Sequence, residues 1–164
     1  MSTPATPTRY LAPDAFTRRV VNPIVAGFTR LGVSVRGSRI LAVRGRTTGE
    51  VRTTPVNLLT VDGERYLVAP RGVTQWVRNV RVAGECELRL GRRSERVAVV
   101  ELADADKPAI LRDYLRLWKR EVGQFFDGVG PDATDAELLA IAPGYPVFRL
   151  LPIDREADRT AADR

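Results

Sequence analysis

Arg44-Gly45-Arg46-Thr47-Thr48-Gly49-Glu50-Val51-Arg52-Thr53-Thr54-Pro55-Val56 is the stretch on which the fold turns. It reads as a hairpin turn between two apolar strands, Ser38 to Val43 before it and Val51 to Val61 after it. Gly45 and Gly49 let the backbone turn sharply and approach a ligand closely. Thr47 and Thr48 offer hydroxyls and unobstructed backbone N–H groups. Arg44, Arg46 and Arg52 supply fixed charge in a forked geometry suited to phosphate or carboxylate. A turn of this kind suits an anionic cofactor. An ordinary polar hairpin with solvated arginines is the other reading that composition leaves open.

More strands follow at short, regular spacing. Asp62-Gly63 is a hairpin signal, with Arg65 to Ala69 returning. Glu85 to Leu90 alternates, Gly91 to Ser94 turns, and Arg96 to Leu102 returns. A short helix is expected over Thr74 to Val82. Asp106 is placed to cap a helix from Lys107 to about Gln124, with Pro108 tolerated in its first turn. Thr134 starts another helix, with Glu137 at capping-box spacing, and Tyr145 to Leu151 reads as the last strand. Upstream, Phe16, Val20, Ile24, Phe28 and Leu31 mark one face of a helix over residues 14–32. It packs on a barrel or, as a basic amphipathic helix, touches a membrane surface. Residues 1–13 read as a flexible leader and 154–164 as a disordered tail. The expected architecture is therefore one mainly β (α+β) domain over 14–153. It is a split β-barrel of about six antiparallel strands with an N-terminal helix and two to three covering helices.

Bulk composition narrows the chemistry. The chain has 164 residues, one cysteine and no histidine. Without histidine there is no Ser-His-Asp hydrolysis, no imidazole base and little means of holding zinc. A lone Cys86 precludes an internal disulfide. If the protein is an enzyme, a bound cofactor supplies the reactive atom. No apolar run approaches the ~20 residues that span a bilayer, and the polar first residues lack a signal-peptide core. Both features point to the cytoplasm. Residues 1–60 carry nine arginines against two acids, whereas the remainder is close to neutral. The basic excess thus sits with the Gly-Arg-Thr-Thr-Gly turn, where a polyanionic ligand can use it. Nucleic acid is set aside, because the basic residues are not interleaved with aromatics and match no standard module.

Three blocks now define a resemblance. They are Gly45 to Gly49 with Arg52-Thr53-Thr54-Pro55-Val56, then Tyr66-Leu67-Val68-Ala69-Pro70-Arg71-Gly72, then Trp76-Val77-Arg78-Asn79-Val80. In order and spacing they resemble the deazaflavin-dependent nitroreductase family, small split-barrel oxidoreductases of actinobacterial type that use coenzyme F420. The resemblance runs from about Ile40 to Leu90 and more loosely to Leu151. It implies that the first block cradles the cofactor's phosphate and its carboxylate-bearing tail. Arg46 and Arg52 would meet those anions, with Thr47, Thr48 and Gly49 donating around them. Thr53, Pro55, Val56 and Ala69 would line the flat ring. Arg71 would add a second cationic contact, and Trp76 and Asn79 would sit on the short helix that closes the pocket. Two positions depart from the family pattern: Thr47 stands where a lysine is frequent, and Pro70 where a serine often precedes the basic residue.

The expectation is an F420H2-dependent oxidoreductase that passes a hydride to an electron-poor small molecule, a quinone, enone or nitro compound. No residue is singled out as a proton donor, since solvent suffices. Two alternatives accompany it: the same barrel holding FMN, and a non-catalytic carrier of a cofactor or a lipid-like ligand. By analogy with split barrels, a homodimer is expected.

Overall fold

Alternating side chains close a barrel. The computed structural model describes residues 37–153. The leader, the helix expected over 14–32 and the tail from 154 lie outside the described residues. Six strands, β1 (Ser38–Arg44), β2 (Val51–Val61), β3 (Glu64–Val68), β4 (Glu85–Leu90), β5 (Arg93–Glu101) and β6 (Val147–Pro152), are joined by helices α1 (Gln75–Ala83), α2 (Pro108–Val122) and α3 (Asp135–Ile141). The strands form a closed barrel in the order β1-β2-β3-β6-β5-β4, with every pairing antiparallel. The expected barrel with its covering helices is what the described residues contain.

Two apolar clusters fill this frame. Leu41, Val43, Val56, Leu67, Leu88, Val97, Phe148 and Leu150 point inward, and Val77 and Val80 of α1 pack with them. Outside the barrel, Leu59 of β2 meets Leu111, Tyr114, Leu115 and Trp118 of α2, together with Phe126, Leu138 and Tyr145. Two-residue periodicity explains the division: Val56 and Leu58 face in, while Leu59 faces out toward α2. Periodicity also puts Arg39, Arg65 and Glu95 on the inward faces of their strands, beyond Leu41, Leu67 and Val97. There Arg65 grips Glu95 through two bonds of 2.7 Å. Cys86 is buried among the inward residues, and burial pushes its thiol pKa up to about 12. It is an inert core residue.

The turns form where local chemistry demands. Asp62 and Gly63 both have positive φ, 51° and 80°, as a two-residue type I′ hairpin requires. Thr134 and Glu137 form the reciprocal capping box on α3. Three expectations need correction. β5 begins at Arg93, not Arg96, because Leu90 pairs with Arg93 straight across the tight Gly91-Arg92 turn. The polar run Arg93-Ser94-Glu95 is therefore ladder, not loop. Asp106 does not cap α2. Residues Asp104–Asp106 form a 3-10 turn and Lys107 holds the cap position without a side-chain cap bond. The cause is Lys107 itself, 3% exposed, whose Nζ donates to Asp104 Oδ1 at 2.6 Å and to Ala142 O at 3.1 Å. Finally, the last strand starts at Val147. Tyr145 instead stacks on Phe126, ring centroids 4.3 Å apart, and donates its hydroxyl to Phe125 O.

Candidate functional site

The barrel wall is open beside the first half of β2. β3 pairs with β2 only from Leu58 onward, so Val51 to Asn57 pair with β1 alone. Leu58 N–H donates to Gly37 O at 3.0 Å, on the β1 side. By alternation, the nitrogens of Thr53, Pro55 and Asn57 face the other, unpaired edge. Pro55 therefore costs no ladder bond there. Beyond β3 the chain turns away from this edge, as Ala69 N–H donates to Pro146 O at 2.9 Å. The result is a cavity of about 1050 Å³ between β2, the segment Val68 to Arg71, the start of α1 and the second half of α2. That volume is at the upper end for a site taking a cofactor-sized ligand.

One end of the cavity is the arginine-rich turn. Gly45 N–H donates to Glu50 O at 2.7 Å and Gly49 N–H to Gly45 O at 2.9 Å. Gly49 sits at φ 74°, which a side chain would resist. A Cβ on Gly45 would lie 3.1 Å from Glu50 O, so the turn also closes too tightly there for a larger residue. The arginines then divide their labour. Arg44 is spent on the turn, donating to Gly49 O at 3.1 Å. Arg52 pairs with Glu50 at 2.9 Å, but both side chains are more than half exposed, so the pair is weak and exchangeable. Arg46 is fixed. Its guanidinium donates to Gln75 Oε1 and Asn79 Oδ1, each at 2.9 Å, and its backbone N–H reaches Asn79 Oδ1 at 3.3 Å. Asn79, one turn after Gln75 on α1, is 4% exposed. It ties the helix to the turn across 33 residues of sequence.

Every residue that the resemblance assigns to the cofactor except Gly49 lines this one cavity: Arg46, Thr47, Thr48, Arg52, Thr53, Pro55, Val56, Ala69, Arg71, Trp76 and Asn79. Gly49 shapes the turn from behind. Arg71 lies over the Phe125 ring, 4.9 Å from its centroid, and Trp76 packs at a tilt on Phe148, 5.7 Å between centroids. α1 starts at the cavity with no acid in its first turn. Its first backbone bond runs from Arg78 N–H to Thr74 O, so Gln75 and Trp76, both cavity residues, keep N–H groups with no helical acceptor.

The sequence offers Tyr114 and Trp118 as candidates for a substrate wall, with core packing as the other reading, and they lie at the opposite end of the cavity. Ser38, Asn57, Tyr114, Trp118 and Glu121 line it. Ser38 Oγ donates to Asn57 Oδ1 at 3.5 Å, and the Tyr114 pKa is raised chiefly by burial, with the Asn57 side chain opposing that shift. Asn57 lies five residues along β2 from Arg52, about 17 Å at ~3.3 Å per residue. Nothing local marks Ser38 and Asn57 as part of it, because the members come from two strands and a helix far apart in sequence. Among the described residues, two buried side-chain polar atoms lack a hydrogen-bond partner, Thr74 Oγ1 and Trp118 Nε1. Both residues line this cavity, one with the start of α1 and one with α2. Among the described residues there is no cluster of three or more metal-ligating side chains, and no helix is long and apolar enough to cross a membrane.

A family model described as F420H(2)-dependent quinone reductase matches residues 17–125. The match gives the FMN alternative no support. No curated protein sequence matches the chain. Among solved structures, one described as a domain-swapped dimer is 18% identical, with a TM-score of 0.51, over 85% of this chain and 99% of its own. A structure of an F420-H2 dependent reductase is 15% identical at a TM-score of 0.51, over 70% of this chain and 94% of its own. A conserved hypothetical protein from Mycobacterium tuberculosis is 16% identical at a TM-score of 0.50, over 92% and 86%. At these identities the neighbours speak to the fold.

Proposed function

The chain belongs to the F420H(2)-dependent quinone reductase family, and from that premise we propose that its cavity holds reduced coenzyme F420 beside a quinone-type acceptor. Family membership makes it an F420-dependent reductase. The observation that carries the placement is the coincidence of fixed charge and unsatisfied donors at the turn end. Arg46 is locked in position by Gln75 and Asn79. Beside it lie the N–H groups of Gln75 and Trp76, which open α1 without a helical acceptor. Such a set fits a phosphate, which takes several donors and prefers a helix N-terminus.

On this reading Arg46, Thr47 and Thr48 hold the phosphate. Arg52 leaves Glu50 for the carboxylates of the tail, and Arg71 adds charge from the facing segment. Thr53, Pro55, Val56, Ala69 and Trp76 flank the flat ring, with Asn79 acting through Arg46. When bound, the deazaflavin supplies a hydride. The residues contribute orientation, exclusion of water and charge complementarity. None has to act as an acid or base, in keeping with a chain that lacks histidine and keeps its one thiol protonated. Replacing Arg46→Ala should weaken F420 binding by about 1.5–3 kcal/mol, the range for a charged hydrogen bond. Fluorescence titration measures it, and an unchanged affinity would put the cofactor elsewhere.

We also propose that two copies associate, a reading supported by the neighbour described as a domain-swapped dimer. Light scattering at micromolar concentration should return twice the 18.2 kDa chain mass, and a single-chain mass would refute the pairing.

A further inference from the structure

Arg46 is fixed without being neutralised. Arg65, Arg81, Arg89, Arg96 and Arg149 each grip a glutamate. Arg46 touches no carboxylate among the described residues. Its two side-chain acceptors are neutral amides, Gln75 Oε1 and Asn79 Oδ1, and both bonds leave from one nitrogen, Nη1, at 2.9 Å. Nη2 and Nε, the paired edge of the guanidinium fork, bond to no described residue. That edge is the one that grips an anion through two bonds. A carboxylate in place of either amide would hold the side chain equally well and cancel its charge. The amides give direction and leave the charge in place.

The start of α1 has the same character. Gln75 is its first residue, and the first turn contains no acid. Acids are favoured there, because a helix N-terminus carries partial positive charge. Thr74 stands at the cap position without making a side-chain cap bond. The N–H groups of Gln75 and Trp76, both cavity residues, thus have neither cap nor acid to answer them. Asn79, 4% exposed and also lining the cavity, spends its oxygen on Arg46, and its NH2 bonds to no described residue. One isosteric change, Gln75→Glu, would supply the missing acid, pair with Arg46 and favour the helix. The chain carries the amide instead.

We propose that Gln75 sets the charge selectivity of the cavity: its neutral amide aims Arg46 while leaving that cation and the α1 N-terminus uncompensated, so that a phosphate on the ligand decides affinity. The proposal rests on the F420 reading of the same cavity and names the residue that makes the phosphate count. Gln75 is a positioning residue and acts through Arg46. Helix stability is forgone at this position in favour of the ligand, so an acid there should move stability and binding in opposite directions.

The test compares wild type with Gln75→Glu and Gln75→Met, one acid and one neutral chain of similar length. Gln75 is exposed, so neither change disturbs a core. Each protein is titrated by fluorescence with oxidised F420 and with its phosphate-free fragment, the deazaflavin ring on its ribityl chain. Each is also melted with and without pyrophosphate. In Gln75→Glu, F420 affinity should fall about tenfold, as for the loss of one charged hydrogen bond. Affinity for the fragment should hold, and the melting temperature without ligand should stay level or rise. Gln75→Met should lose clearly less F420 affinity than Gln75→Glu. Unchanged F420 affinity in Gln75→Glu would overturn the proposal, as would equal loss for F420 and the fragment, equal loss in the two variants, or early melting of Gln75→Glu. The two readings fail separately. If wild type ignores F420 but melts later in pyrophosphate, and Gln75→Glu loses that rise, only the cofactor placement falls. If F420 binds wild type and Gln75→Glu alike, only the role of Gln75 falls. A wild type indifferent to both anions overturns both.

Discussion

Asn79 is the residue through which the site is assembled. Its single oxygen receives both the backbone N–H and the guanidinium of Arg46, so one buried amide sets the position of the turn and the direction of its central cation. Asn79→Ala should therefore act twice. We expect F420 affinity to fall by about 1 kcal/mol, the worth of an ordinary hydrogen bond, and the melting temperature to fall with it. An affinity loss without any loss of stability would place Asn79 in direct contact with the cofactor instead. Gly49→Ala tests the turn separately. At φ 74° an alanine is strained, which costs roughly 1–2 kcal/mol of stability, read by urea unfolding. The turn was legible because its signals are local: glycines, arginines and threonines within a few positions. The Asn79 clamp was not, since its logic appears only when α1 is laid against the β1–β2 turn. The same applies to Asn57, whose place in the cavity wall depends on how α2 crosses β2.

Among the elements, those with strong local codes formed where expected. The Thr134–Glu137 box starts α3, and Asp62-Gly63 turns β2 into β3. Thr134→Ala should cost about 1 kcal/mol in urea unfolding, and an unchanged midpoint would mean that packing of Leu138 alone holds the helix. Elements with weaker codes shifted. Asp106 looked like a cap, but the buried Lys107 ammonium recruits Asp104 and rearranges the turn before α2. Arg93 to Glu95 looked like loop because the run is polar, yet Ser94 and Glu95 pair across to Arg89 and Leu88. Pairing of the ladder outweighs composition at the end of a hairpin. Pro55 is unusual within a strand, and the register shows its reason: its nitrogen faces the unpaired edge of β2.

At the scale of the molecule, the inward-facing Arg65–Glu95 pair and the outer Arg89–Glu87 pair make stability depend on pH. Bonding to Arg89 and to Arg65 lowers the pKa values of Glu87 and Glu95 below the usual 4.5. A carboxylate with a depressed folded pKa stabilises the fold above its unfolded pKa, and that contribution is lost as pH falls through the folded value. The melting temperature should be flat between about pH 6 and 8, where no histidine titrates, and should drop below about pH 4.5. Glu95→Gln should flatten the acid limb, and an unaltered limb would assign the loss to other carboxylates. The barrel as a whole was legible from strand spacing and turns. The volume it leaves open beside β2 was not, because that space depends on where β3 stops pairing. We propose that this space takes F420 with Arg46 at its phosphate end. The most direct measurement is a fluorescence titration of the purified protein with oxidised F420 and, separately, FMN. Saturable F420 binding, much weaker FMN binding and loss of the F420 signal in Arg46→Ala are expected. Absence of F420 binding, or equal binding by the variant, would contradict it.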